Sequence, residues 1–270
     1  NIYIASISIS SDDRYVAITT ADISTGELIT TEIEYDENLD TLVNELSVYN
    51  PSEVVLNESI SGLITDKFSE SQVHTYIAPV DSSYYKKETC EHYIRSCFDV
   101  TSMIPLGIDG HSEMIKATGS LLMYLADTQK HEPSQFRNLT VKRPGNTMHL
   151  DRSTMRNLEL LETIYDHDVH GSLLGVINRT KTAMGQILVK KYLKEPLIDS
   201  AEINRRLDAV EVIKNNPILA NNISNSLKHV YDFQRLTTAV ATGRANARDL
   251  IALKVTLEQM PDITEQLDYL

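Results

Sequence analysis

The stretch Met148-His149-Leu150-Asp151-Arg152-Ser153-Thr154-Met155-Arg156-Asn157-Leu158-Glu159-Leu160 decides the fold, because the hydrophobic period changes there. Met148 to Leu150 reads as a short strand. Asp151 follows where a carboxylate can accept orphan backbone N–H groups, with Thr154 in the first turn of a helix. Leu158, Leu160 and Leu161 then supply an apolar face, so the spacing predicts a helix over 152–162.

Upstream of this junction the pattern is that of a mixed α/β domain. Ile2 to Ile9, Tyr15 to Thr20 and Leu28 to Ile33 read as three strands, with Ser11-Asp12-Asp13-Arg14 and Asp22-Ile23-Ser24-Thr25-Gly26-Glu27 as the turns of an antiparallel meander. Leu39, Leu42, Val43 and Leu46 are spaced for a helix that Asn50-Pro51 ends. Val54 to Leu56 reads as a short buried strand, Ile60 to Phe68 as a helix, and Val73 to Ile77 as a strand that stops at Pro79. From Ser82 to Leu125 the pattern is helical, broken by Pro105 to Gly110, and Met114, Ala117, Leu121, Leu122 and Leu125 form a core stripe. Phe136 to Val141 and Met148 to Leu150 flank Arg143-Pro144-Gly145-Asn146 and read as a hairpin. The order resembles an RNase-H-like sheet.

Downstream nearly everything is helical: 172–178, 183–194, 200–214, 217–228, 231–241 and 246–259, the last ending near Met260-Pro261 with a further helix starting at Asp262. The fold class is therefore α/β plus all-α. Residues 1–130 form an RNase-H-like α/β domain, 131–150 a linker with a small hairpin, and 151–270 a helical domain that looks incomplete.

The 270 residues are 41% hydrophobic, enough for a sizeable core, and carry a formal charge of −13. The split matters more than the sum: residues 1–130 carry −14 and residues 131–270 carry +1. The first part repels a phosphate backbone, so a protein is the expected partner there. No apolar run is long enough to span a bilayer and no signal peptide opens the chain, which predicts a soluble, cytoplasmic protein. Cys90 and Cys97 stand two turns apart on one helix, about 10 Å along its axis, too far for a disulfide.

Few residue patterns carry chemistry. Ile2 to Ser10 holds no acidic residue, whereas an RNase-H-type nuclease needs a first-strand carboxylate among those converging on two metal ions. Asp12, Asp13, Asp22 and Glu27 read as solvated turn acids. Asp166-His167-Asp168-Val169-His170 offers metal-ligand types in a loop, without a second cluster. Gly243-Arg244-Ala245-Asn246-Ala247-Arg248-Asp249 has the look of a phosphate-binding turn, but the better reading is that Gly243 ends one helix, Asn246 caps the next, and Arg248 and Asp249 pair with neighbours. Lys190-Lys191 and Arg205-Arg206 read as solvated faces. The chain contains no G-x-x-x-x-G-K-[ST] phosphate loop.

The run from Met148 to Leu160 resembles the start of the core domain in DNA mismatch-repair ATPases of the MutS family. Asp22 to Glu27 resembles the family's connector hairpin. Leu173-Leu174, Thr182 to Gly185, Leu193 and Pro196-Leu197 resemble its core, with Gly185 permitting a tight helix start. Ile203, Arg206, Ala209-Val210, Asp232, Arg235, Gly243-Arg244 and Arg248-Asp249-Leu250 resemble its lever helices. The structural signature is thus Asp151, Thr154, Arg156, Asn157, Gly185, Gly243, Arg248 and Asp249. Ile187, Tyr192, Gln234 and Ala239 depart from residues common in the family: arginine, tryptophan, glutamate and a second arginine.

The resemblance implies a connector plus the first part of the core, or lever, domain. The family's mismatch-reading domain with its Phe-x-Glu wedge, its DNA clamp and its dimerising P-loop domain have no counterpart in these residues. It further implies a role in transmitting conformational change, no cofactor in the chain itself, and ATP and Mg in a longer parent. Mismatched double-stranded DNA would be bound by domains absent here. A MutL-type partner would dock on the connector, where His92 and Tyr93 fall in the region that carries a glutamine pair in well-known members. The chain alone is expected to be monomeric and the parent dimeric. Two rival readings are a metal-dependent RNase-H-type nuclease using Asp22, and a family member acting in recombination.

Overall fold

The computed structural model describes all residues except 1, 72, 131, 132, 144, 146, 149, 269 and 270. The chain divides into two compact units, Asn1–Pro144 and Gly145–Leu270.

The first unit is built on a six-stranded mixed sheet of order β5-β4-β1-β2-β3-β6. Strands β1 (Tyr3–Ile9), β2 (Tyr15–Asp22) and β3 (Glu27–Glu34) form the expected meander, with Ile7 opposite Ile18 and Ile18 opposite Thr31. Helix α1 (Asp40–Tyr49) leads to β4 (Glu53–Asn57), which pairs in parallel with β1. Helix α2 (Glu58–Glu70), capped by the Asn57 side chain, leads to β5 (Tyr76–Val80), parallel to β4. A 3-10 turn at Ser82–Tyr85 precedes α3 (Lys87–Phe98), and another at Ile104–Leu106 precedes α4 (Ser112–Gln129).

Strand alternation gives the sheet two apolar faces. Ala5, Ile7, Val16 and Ile18 pack under α1 and α2 with Leu42, Leu46, Ile64 and Phe68. Ala17, Ala21 and Leu28 face α3 and α4, where the predicted stripe of Met114, Ala117, Leu121, Leu122 and Leu125 is buried. Each such leucine contributes about 1.5–3 kcal/mol through burial. Cys90 and Cys97 share α3 and form no disulfide. Helices α3 and α4 cross closely, since a Cβ on Gly119 would stand 2.4 Å from the Cys90 Cβ.

Two expectations fail in this unit. Strand β5 does not stop at Pro79 but runs through it, pairing Pro79 with Leu56. It is an edge strand, where a missing N–H need not break a ladder. The hairpin over 136–150 does not form either: β6 (Thr140–Lys142) pairs in parallel with β3, whereas Thr147 bridges Leu197 and the Met148 N–H donates to the Pro196 carbonyl at 2.6 Å. Pairing with distant segments has displaced the local turn. Of that turn and its second strand, Pro144, Asn146 and His149 lie outside the described residues.

The second unit is helical: α5 (Arg152–Asn157), α6 (Leu173–Ile177), α7 (Ala183–Lys194), α8 (Ser200–Asn215), α9 (Pro217–Leu227), α10 (Phe233–Ala241) and α11 (Ala247–Leu267). Helix α11 passes through Pro261, against the expected stop. Proline removes one backbone hydrogen bond there, but α11 packs against both α9 and α10. Thr256, fully buried on α11, accepts the Tyr231 N–H at 3.0 Å. Among the described residues no helix is long and apolar enough to cross a membrane.

Helix α5 is shorter than the expected 152–162. Glu159 takes a left-handed conformation (φ 48°), and the Glu159 and Leu160 carbonyls accept the N–H groups of Leu173 and Leu174. The backbone that would have continued α5 instead holds the start of α6. In consequence Leu158 is 61% exposed, while Leu160 and Leu174 are buried.

Candidate functional site

The predicted docking residues sit on α3 but do not share a face. His92 is exposed, whereas Tyr93 is half-buried against the core beneath α3 and α4. Consecutive helical residues are about 100° apart, and here that turn carries Tyr93 from the exposed side towards the core. Beside His92, Glu91 pairs with both Lys87 and Arg95, at 3.8 and 3.5 Å. The outer surface of α3 is therefore a charged face with an imidazole in it, and Tyr93 is a packing residue.

The signature residues of the helical unit act locally, as caps and turns, and are not gathered into one site. The Asp151 carboxylate accepts the Thr154 N–H at 2.5 Å and the Ser153 hydroxyl at 2.9 Å, as expected for an N-cap. Arg156 and Asn157 close the same short helix, on exposed positions. Gly185 sits over the Thr182 cap, where a Cβ would come within 3.0 Å of the Thr182 hydroxyl. Gly243 has φ 68° and ends α10; Asn246 then caps α11, accepting the Arg248 and Asp249 N–H groups while Asp249 accepts that of Asn246. This is a reciprocal capping box. It uses the turn's own groups and accounts for the glycine without an anion.

The four departures lie within the same helices. Ile187 and Ala239 are half-buried and Gln234 is exposed. Tyr192 carries the Arg206 guanidinium 4.0 Å above its ring, joining α7 to α8 by a cation–π contact. Thus Arg206 is not the plain solvated residue that its neighbour Arg205 is. Arg205 in turn binds Glu202, whose carboxyl it holds below the usual range.

Residues 166–170 are exposed, and their bonds are short-range: His167 to Glu162 at 3.4 Å, and the His170 N–H to Asp168 at 2.9 Å. Among the described residues no group of three or more His, Cys, Asp or Glu is placed to hold a metal ion.

Asp22 is a correction. It is fully buried rather than solvated, and its Oδ1 accepts both the N–H and the hydroxyl of Ser24. Glu27, across the turn, accepts the Tyr3 hydroxyl at 2.6 Å. Both acids organise the β2–β3 hairpin.

The sequence reading missed a buried polar seam between the sheet and α4. Ser6 Oγ lies 2.8 Å from both the Tyr85 hydroxyl and Ser120 Oγ, and Tyr85 donates to the Val55 carbonyl. Ser8 donates to Glu113 at 2.5 Å, Lys116 binds the same carboxylate at 2.7 Å, and Thr19 meets Thr30 and Thr118. Burial pushes the Tyr85 hydroxyl far above its ordinary range. The clue was available, because Ser6 and Ser8 alternate with Ile7 on a strand whose other neighbours are apolar. The first strand thus carries no carboxylate, and its Ser6 and Ser8 hydroxyls are tied into the core.

Residues 2–137 match the family model for MutS domain II, and residues 153–270 match that for MutS domain III. The chain belongs to the MutS family. DNA mismatch repair protein MutS of Alkaliphilus oremlandii is 37% identical over 245 residues, covering 90% of this chain and 28% of the relative. Its counterpart in Acetivibrio thermocellus is 35% identical over 267 residues, covering 97% and 30%. That of Desulforamulus reducens is 34% identical over 281 residues, covering 99% and 30%. The chain therefore spans under a third of the length of these MutS relatives. Its mixed sheet and following helices are the MutS connector and core.

Proposed function

We propose that this chain is the connecting part of a MutS-type DNA mismatch-repair ATPase, passing conformational change between a nucleotide-hydrolysing end and a DNA-binding end. Residues 1–130 serve as connector, 131–150 as linker and 151–270 as partial core, with Thr140–Lys142 returned to the connector's sheet. The observation that carries this reading is the succession of domain II and domain III in one chain, each matched over nearly its whole unit. Transmission needs rigid elements whose state two sites both bias. The buried seam under α4 and the long, capped α11 suit that role.

In this reading ATP and Mg act in the parent, as do dimerisation and binding of mismatched double-stranded DNA, while the isolated chain is monomeric, holds no nucleotide and works in the cytoplasm. The acidic α/β unit is the docking surface for a MutL-type partner, with His92 on the face presented. Tyr93 supports that face from beneath.

The chain alone is expected to show no nucleotide turnover and only weak DNA binding; turnover by the pure chain would refute the proposal. For docking, a photo-crosslinker at position 92 of the parent should capture the MutL-type partner, and one at Tyr231 should not. Equal capture at both positions removes α3 from the interface.

A further inference from the structure

Strand β6 is the shortest in the sheet, and its hold is two-sided. It shares three register pairs with β3, Ile29 with Thr140, Thr30 with Val141 and Thr31 with Lys142, where β2 and β3 share eight. On one face Val141 is half-buried against the α3–α4 core, its Cγ2 3.4 Å from where a Cβ on Gly107 would stand. On the other face Lys142 Nζ donates to Glu45 Oε2 on α1 at 2.8 Å and lies 5.8 Å from the centre of the Tyr49 ring. The two side chains of that ion pair are only 18% and 17% exposed, so water and salt weaken it less than a surface pair.

These contacts give β6 an unusual balance. Three residues at a sheet edge have few ladder bonds, and such elements open without the rest of the fold. Yet one shielded ion pair and one apolar side chain fasten it. β6 is also the last strand of the α/β unit before the chain passes into the helical unit at Gly145.

We propose that β6 is a releasable strap: docked on β3 and latched by Lys142 on Glu45, it shortens the chain joining the two units, and undocked it lengthens it. Released, residues 137–142 add roughly 20 Å of reach at about 3.3 Å per residue. The strap is a property of these 270 residues and holds whatever partner the connector meets.

Hydrogen exchange on the whole 270-residue chain tests it. The β6 amides should exchange about tenfold or more faster than those of the β2–β3 ladder, showing a separate opening. Glu45→Lys should speed them by a further factor of about ten, and the double variant Glu45→Lys/Lys142→Glu should bring them back. A β6 that exchanges only with the whole sheet overturns the proposal, as does a double variant that stays as fast as the single one. Spin labels on exposed Asp66 and Lys254 give an independent reading. Their distance distribution should broaden in Glu45→Lys and narrow again in the double variant, and one that is the same in all three proteins rejects the strap.

Discussion

The α/β unit and the helical unit bury their apolar residues very differently. Among the described residues, 31 buried hydrophobics belong to the first unit and only Leu160, Leu174 and Val230 to the second. The helices of the second unit instead leave Leu207, Val210, Ile218 and Ile251 in the open, Ile218 being 80% exposed. Both units have regular elements, so the difference is not one of secondary structure. A sheet covered on both sides closes its own core, whereas helices paired edge to edge each keep an unused stripe. Stability should therefore reside in packing in the first unit and in caps and local turns in the second.

The strongest way to break that contrast is a pair of truncations. Leu121→Ala, at a fully buried position, should cost about 2–5 kcal/mol, and Val210→Ala, on an exposed helix face, less than about 0.5 kcal/mol. Denaturant unfolding of both variants would show it, and similar losses would erase the distinction. Next in size is Gly119→Ala, which must push α3 from α4 because the new Cβ meets the Cys90 backbone and side chain. A loss of about 1–3 kcal/mol is expected. Gly243→Ala has open space around it, and only its left-handed backbone opposes the change, at about 1 kcal/mol. The thermal midpoints of the two variants should rank in that order.

Smaller still is Asp151→Ala, which removes a cap worth about 1 kcal/mol, visible as lost helix signal and faster exchange at Thr154 while the α/β unit keeps its protection. The subtlest test uses pH. Burial pushes the Cys90 thiol up to about 12 from an ordinary 9.0, so the folded state resists ionisation that the unfolded state accepts. Its contribution is intact below pH 9 and is lost as pH climbs from 9 towards 12. Cys90→Ser should flatten that alkaline decline, whereas unchanged pH curves would show that the thiol ionises freely in the fold. Near neutral pH, alkylation of the native protein should spare Cys90.

Much of this was legible in local pattern. The meander followed from alternation and turn residues, the α4 stripe from its helical spacing, and the Asp151 and Asn246 caps from residue type alone. What escaped depended on distant segments. Phe136 to Val141 could be read as a strand, but the partner of its end, β3, lies 111 residues back at the Ile29–Thr140 pair, so the nearer Met148 to Leu150 looked the better match. Pro261 marks a stop only if nothing else holds the helix, and α9 and α10 do. Asp22 reads as a solvated turn acid until the sheet, which sets it opposite Tyr3 as well as Glu27, buries it. Of the docking region, the helix was readable and the burial of Tyr93 was not, because that depends on where α4 lies.

The hydroxyl seam beneath α4 has a mechanical corollary. Greasy interfaces can slide, since one methyl contact replaces another at little cost. Here a shift of α4 by even one residue would break the Ser6–Ser120, Ser8–Glu113 and Thr19–Thr118 bonds together, each worth about 0.5–1.5 kcal/mol. The helix and sheet are thus keyed like a gear to its rack, and any push delivered to α4 must move the whole α/β unit.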